Sequence, residues 1–272
     1  MDRPTTMHAM RFVSAAILGA GMLCAADSPE LPQAQVDDIV QRFAAKEAAF
    51  ARARENYTYR QTARIQTLDE GGNSTGRWEM VSDIDFDKGG KRTERVVRAP
   101  VSTLTGLLLT PEDMADLKDV QPFVLTTSDL PKYLIRYLGK ETLDEIPCYV
   151  FAVKPKKMEQ GQRYFQGEVW VDDRDLQIVK SYGRGVGLLK KNEDQQFPKF
   201  ETYREQIDGK YWFPTYTIAN DTLHFKESDV RMRQTVKYED YKQFKADTTI
   251  TFGDEVDEKK NDKKTVEPAK KP

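Results

Sequence analysis

Between Tyr57 and Tyr238 apolar and polar positions alternate in short runs broken by glycine, proline and acidic residues, the two-residue period of half-buried strands. The stretch Arg163 to Tyr182 reads as two strands joined by a tight acidic turn at Asp172 to Asp175. Phe165, Val169 and Val171 share one face of its first strand, with Tyr164 and Trp170 on the other. Upstream, Trp78, Met80, Ser82, Ile84 and Phe86 alternate with Arg77, Glu79, Asp83 and Asp85. Tyr57, Tyr59, Ala63 and Ile65 stand likewise against Thr58, Arg60, Thr62 and Arg64, and Lys91 to Arg98 makes a third, basic strand. Ile146 to Val153 is apolar at every second and every intervening position, as in a strand covered on both faces. Phe200 to Ile207 and Tyr211 to Ala219 flank Asp208-Gly209, a two-residue turn signal. A late strand alternates Val230, Met232, Val236 and Tyr238 with Arg231, Arg233, Thr235 and Lys237, and extends toward Phe252.

A different period appears twice before the central hairpin. From Gln35 to Asn56, Val36, Ile39, Val40, Phe43, Ala44, Phe50 and Ala51 recur at three- and four-residue spacing, which predicts an amphipathic helix. In the middle, Thr110-Pro111-Glu112-Asp113 reads as an N-cap followed by proline, opening a short helix through about Leu117. A second helix is expected from near Ser128, presenting Leu130, Tyr133, Leu134, Tyr137 and Leu138. Both are too short to stand alone and must lie on the sheet as a cover. Gly183 to Asn192 is expected to be a flexible connection. The expected fold is α+β, mainly antiparallel β: a strongly curved, half-open β-barrel of about nine to eleven strands, with an N-terminal helix and a short-helix lid.

Composition changes this picture at the ends. The 272 residues carry a formal net charge of −2, which argues against nucleic acid as a partner. Arg3 and Arg11 precede the apolar run Phe12 to Leu23, and Cys24-Ala25-Ala26 follows with small residues. Residues 1–26 are therefore expected to be a signal peptide, whether translation begins at Met1, Met7 or Met10. The run is too short for a stable membrane span. A lipid anchor at Cys24 is the weaker alternative, because Leu23 is not the small residue such a signal wants. Processing would leave Cys148 as the sole cysteine, without an internal disulfide. Residues 27–252 form the expected domain. Residues 253–272, with six acidic residues and six lysines, form an expected disordered tail.

Candidate chemistry is thin. His8 lies in the leader and His224 stands alone, without a nucleophile elbow elsewhere to serve. Cys148 and His224 have no further ligands at metal-binding spacing. Gly183-Arg184-Gly185-Val186-Gly187 has the look of a nucleotide loop but lacks the following helix and the lysine-threonine ending. Asp172, Asp173 and Asp175 are too few for a calcium loop. No catalytic residue, metal or cofactor is expected. What remains is apolar surface: Leu107, Leu109, Leu117, Leu130, Tyr133, Leu134 and Tyr137 in short elements, facing Trp78, Met80, Ile84, Phe86 and Trp170 of the sheet. Ordinary core explains each singly. Together they are the candidate lining of a hollow for an acyl chain, whose burial contributes about 0.8 kcal/mol per methylene.

Glu141-x-x-x-x-Ile146-Pro147-Cys148-Tyr149-Val150-Phe151-Ala152-Val153 and Trp170-Val171-Asp172-Asp173-Arg174-Asp175-Leu176-Gln177-Ile178-Val179-Lys180, behind a signal peptide, a helix and antiparallel strands, resemble the outer-membrane lipoprotein-sorting (LolA-like) superfamily. The resemblance spans roughly residues 35–250 and is most specific over Gly139 to Lys180. It implies an unclosed barrel whose helical lid holds lipoprotein acyl chains in the periplasm. The superfamily also includes a lipoprotein receptor and regulators of envelope-stress signalling. The chain departs from it in a longer second half, with Tyr211-Trp212-Phe213-Pro214, and in the charged tail. Arg60 and Arg64 are the candidates for the family's lid-holding arginine. The implied function is a periplasmic, non-enzymatic lipid or acyl-chain carrier and chaperone of lipoprotein transport. The alternative is an envelope protein-interaction or stress-sensing module on the same fold, with a protein partner and no bound lipid.

Overall fold

The computed structural model describes residues 31–87, 89–189 and 194–244. The leader, the charged tail and the expected continuation toward Phe252 lie outside these residues. Helix α1 (Gln33–Arg54) leads into β1 (Tyr57–Leu68), β2 (Ser74–Phe86) and β3 (Arg92–Arg98). A largely irregular cover follows, containing α2 (Pro111–Ala115), a π-helical turn (Asp116–Val120) and a 3-10 turn (Leu130–Lys132). Then come β4 (Tyr133–Leu143), β5 (Ile146–Pro155), β6 (Tyr164–Asp172), β7 (Ile178–Val186), β8 (Phe200–Gln206), β9 (Trp212–His224) and β10 (Asp229–Gln243).

All ten strands form one antiparallel sheet in the order β3-β2-β1-β10-β9-β8-β7-β6-β5-β4. Every neighbour is a sequence neighbour except β1 and β10, which pair from Tyr57↔Gln243 to Leu68↔Arg231 and so join the first meander to the second. Among the described residues β3 and β4 remain the two edges, so the half-barrel does not close. Turn chemistry follows the sequence: Asp172 Oδ1 accepts from the amides of Arg174 and Asp175, and Gly209 takes a left-handed φ of 72° between β8 and β9.

Helix α1 buries Val36, Ile39 and Phe43 against β4–β8, in a cluster with Phe151, Phe165, Val169, Ile178 and Phe200, while its Phe50 packs separately with Tyr57 and Phe213. A second cluster, on β1, β2, β9 and β10, joins Ile65, Trp78, Met80, Leu223 and Met232 to Leu117 of the cover. Thr110 caps α2 in a capping box: the Asp113 amide donates to Thr110 Oγ1 at 3.2 Å and Thr110 N–H donates to Asp113 Oδ2 at 2.7 Å.

Two expectations are corrected. The stretch from Ser128 is no helix: a 3-10 turn at Leu130–Lys132 hands over directly to β4. Tyr133 and Tyr137 are four apart, a spacing that fits period two as well as one helical face, and Tyr133, Leu134, Ile135 and Tyr137 suit a strand better. Gly183 to Val186 is no loop either but the end of β7. Its glycines admit close neighbours. A Cβ on Gly183 would lie 2.3 Å from the Gln166 carbonyl and 2.9 Å from Gly167 Cα across the strand pair.

Candidate binding site beneath the cover

The concave face carries an apolar patch interrupted by a polar row. Ser82, Gln61 and Tyr238 are register partners across β2, β1 and β10, and Thr217, Thr202 and Ser181 continue across β9, β8 and β7. All six are buried. Thr202 Oγ1 donates to the Gln121 carbonyl at 2.9 Å and lies 2.8 Å from Thr217 Oγ1, which is 3.3 Å from the Tyr238 hydroxyl. On one side of this row lies the apolar wall of Ala63, Ile65, Trp78, Met80, Leu223 and Met232. Leu104, Leu107, Leu109, Met114 and Leu117 descend onto that wall from the cover. They fill the space almost completely, leaving a cavity of about 20 Å³ bounded by Ile65, Leu109, Asp116, Phe200, Met232 and Gln234. That is room for about one water.

Two polar clasps seat the cover. At the first, Asp116 of the π-helical turn takes a forked pair from Arg163, with Nε donating to Oδ1 at 2.8 Å and Nη2 to Oδ2. Both side chains are more than nine-tenths buried. The Arg163 guanidinium stacks 3.8 Å from the centre of the Phe197 ring. Gly185 of β7 provides the seat, since a Cβ there would fall 1.9 Å from Asp116 Oδ2. Burial pushes the Asp116 carboxyl up to about 6, outweighing Arg163, which pulls it down. Burial also raises the neighbouring Asp113 carboxyl.

At the second clasp, Arg204 of β8 donates to the Phe123 carbonyl and, at 3.1 Å, to both oxygens of Glu47 on α1. Glu47 Oε1 also accepts from the Ile178 amide at 3.0 Å. Glu47 has no exposed surface, and burial raises its carboxyl above the usual range against the pull of Arg204. One ion pair thus ties helix, sheet and cover together.

The lid-holding role expected for Arg60 or Arg64 does not fall to either. Arg60 pairs with Asp83 at 2.8 Å and Arg64 with Glu79 at 2.6 Å, both across β1 and β2 among the outward positions. Among the described residues, the arginine side chains that hydrogen-bond to the cover are those of Arg163 and Arg204. A signal for the second was present, because Glu47 interrupts the α1 stripe between Phe43 and Phe50, and Arg204 follows Phe200 and Thr202 on the inward register of β8. Asp116 and Arg163 left no comparable mark.

The candidate lining residues separate. Trp78, Met80, Leu107, Leu109 and Leu117 meet beneath the cover. Ile84 is fully buried further along β2, and Phe86 is half-buried at its end. Leu130, Tyr133 and Tyr137 pack instead on the α1 cluster, where burial pushes the Tyr133 hydroxyl up to about 12. Leu134 points the other way and is 48% exposed. Trp170 lies on the opposite face from Val169 and Val171, with Cys148, Val150 and Val179, and its Nε1 donates to Glu141 at 2.7 Å.

His224 is exposed, with Nδ1 2.9 Å from Asp229. Cys148 is buried, its thiol pushed up to about 11 by burial. Among the described residues no cluster of histidine, cysteine and carboxylate side chains could hold a metal, and no helix is long and apolar enough to cross a membrane.

No protein-family model and no curated protein matches the chain. Solved structures do resemble it. A DUF1329 family protein from Desulfovibrio piger aligns at TM-score 0.43 and 14% identity over 82% of this chain and 96% of its own. A LolA superfamily protein from Nitrosomonas europaea aligns at 0.35 and 13% over 76% and 93%. A protein described as an outer-membrane lipoprotein-sorting domain, from Vibrio parahaemolyticus, aligns at 0.35 and 12% over 72% and 90%. Likenesses of this size carry no argument about function.

Proposed function

We propose that the protein is a non-enzymatic envelope binding module that admits an acyl chain to the half-barrel in exchange for the apolar side chains of its own cover. The observation that carries this reading is the make-up of the cover. Leu104, Leu107, Leu109, Met114 and Leu117 belong to a segment whose regular structure amounts to single turns, yet they occupy the apolar wall of the sheet. An acyl chain offers that wall the same chemistry, so displacement trades one apolar contact for another at little net cost. Export through a cleaved leader at residues 1–26 and a charged tail at 253–272 belong to the same reading, with a lipid or the acyl chain of a lipoprotein as cargo.

A second reading has its own observation. Val96, Val97, Val101 and Leu108 are exposed along β3 and the start of the cover, and the interior is filled, as suits a module that docks an envelope protein without a lipid. Mass spectrometry of lipids co-purifying with the exported protein, with titration of a fluorescent acyl probe, separates the two. The carrier reading expects recovered acyl lipid and saturable probe binding. Absence of both, with a cooperative melt, removes it in favour of protein docking.

A further inference from the structure

We propose that the Arg163 seat is an anion-binding site for the carboxylate head of a fatty acid, occupied in this structure by the chain's own Asp116. The inference rests on the acyl-binding reading above and assigns the head group to a place. The seat is built on all sides. Phe197 stacks on the guanidinium, and Gly185 leaves open the volume that the Asp116 carboxylate fills. Gly187 packs close beside the guanidinium, since a Cβ there would stand 3.1 Å from Arg163 Nη1 and 2.8 Å from the Gln162 carbonyl oxygen. The glycine run that resembled a nucleotide loop is thus the wall of a carboxylate cradle.

Three observations point beyond a fixed ion pair. The occupant sits on the π-helical turn that continues α2, a geometry that is rare and frequent at functional sites. The seat adjoins the small apolar cavity: Asp116 borders it together with Ile65, Leu109, Phe200, Leu223 and Met232. A carboxylate held by Arg163 can therefore extend an alkyl chain along the wall that the cover leucines occupy now. Around the same place, buried polar capacity is unused. Arg163 Nη1, Gln121 Oε1 and Gln234 Nε2 have no hydrogen-bond partner among the described residues, and both glutamines line the cavity. Unmet buried donors and acceptors of this kind are uncommon and costly.

The head-group chemistry follows from the surroundings. The guanidinium fork matches a planar carboxylate, which it already holds through Nε and Nη2. Asp113 and Glu112 stand close enough to Asp116 to act on it unfavourably. They would act likewise on a second negative charge, which favours a monoanion over a phosphate monoester. Burial raises the Asp116 carboxyl, so its anion is held there less firmly than the fork from Arg163 alone would hold it.

The test compares dodecanoate with methyl dodecanoate, which share a chain and differ in the head, on the full chain by calorimetric titration. Dodecanoate is expected to bind wild type at least about tenfold more tightly than the ester. Asp116→Asn should tighten dodecanoate by about fivefold or more and leave the ester nearly unchanged. Arg163→Gln should abolish the preference. In wild type, the Arg163 Nε–H resonance should shift on saturation with dodecanoate and not with the ester. Equal binding of both ligands, or an unmoved resonance at saturation, overturns the head-group site and leaves acyl binding standing. Failure of both ligands to bind wild type and Asp116→Asn overturns the acyl-binding reading and this inference with it. Should the variants fail to fold, the two wild-type measurements decide alone.

Discussion

Gly185→Ala isolates the first clasp. The strand backbone at Gly185 is not left-handed, so alanine is conformationally welcome and the effect is steric. The new Cβ would stand 1.9, 2.6 and 2.4 Å from Oδ2, Oδ1 and Cγ of Asp116. Restoring an ordinary contact moves the carboxylate by about 1.5 Å, enough to break its 2.8 Å bond from Arg163 Nε. Stranding one member of a buried pair costs about 3–5 kcal/mol, and partial re-entry of water at the freed turn reduces this to about 2–4. For a domain of this size that lowers Tm by about 5–15 °C. The assay is a double-mutant cycle with Asp116→Ala, which also strands Arg163 but removes the clash. Each single change should cost about the same, and the pair no more than either. Costs that add across the cycle, or a Gly185→Ala melt within 2 °C of wild type, would refute the account of the seat.

The pH dependence follows from the same carboxyl. Asp116 titrates near 6 folded against an ordinary 3.8, so the native state holds more protons across that window and stability falls as pH rises through it. The full loss is about 3 kcal/mol, of which about 1.4 falls between pH 5 and 7.5, and urea unfolding at those two pH values should show that share in wild type and largely lose it in Asp116→Asn. Leu134→Asp, on the exposed face of β4, should change stability by less than about 1 kcal/mol, whereas Tyr133→Ala should cost about 3–5 in the same measurement. His224→Ala should leave thermal stability within about 0.5 kcal/mol and acyl-probe binding unchanged, because its pairing with Asp229 is solvent-exposed on both sides.

What the sequence determined was everything carried by spacing between near neighbours. The strict alternation in β1, β2 and β10 specified which side chains face inward, since a one-residue slip would turn the whole set outward. The α1 stripe, the Thr110 capping box and the Asp208-Gly209 turn were legible for the same reason: each is decided within a few residues. Where two periods coincide, locality failed. The spacing of Tyr133 and Tyr137 suits a strand and a helix equally; the residue types lean toward a strand, and the pairing of Tyr133–Leu143 with Ile146–Pro155 decides it. The clasps lay further out of reach. Arg163 meets Asp116 across 47 positions and Arg204 meets Glu47 across 157, and no local pattern specifies which buried charge will find which. Nor could alternation say whether the concave face is hollow or filled, because leucines that plug a space and leucines that line one are spelled alike. The curvature of the sheet and the path of the cover decided that. An interior is filled or empty according to how volumes from distant segments add up, and that sum exists only once the chain has folded.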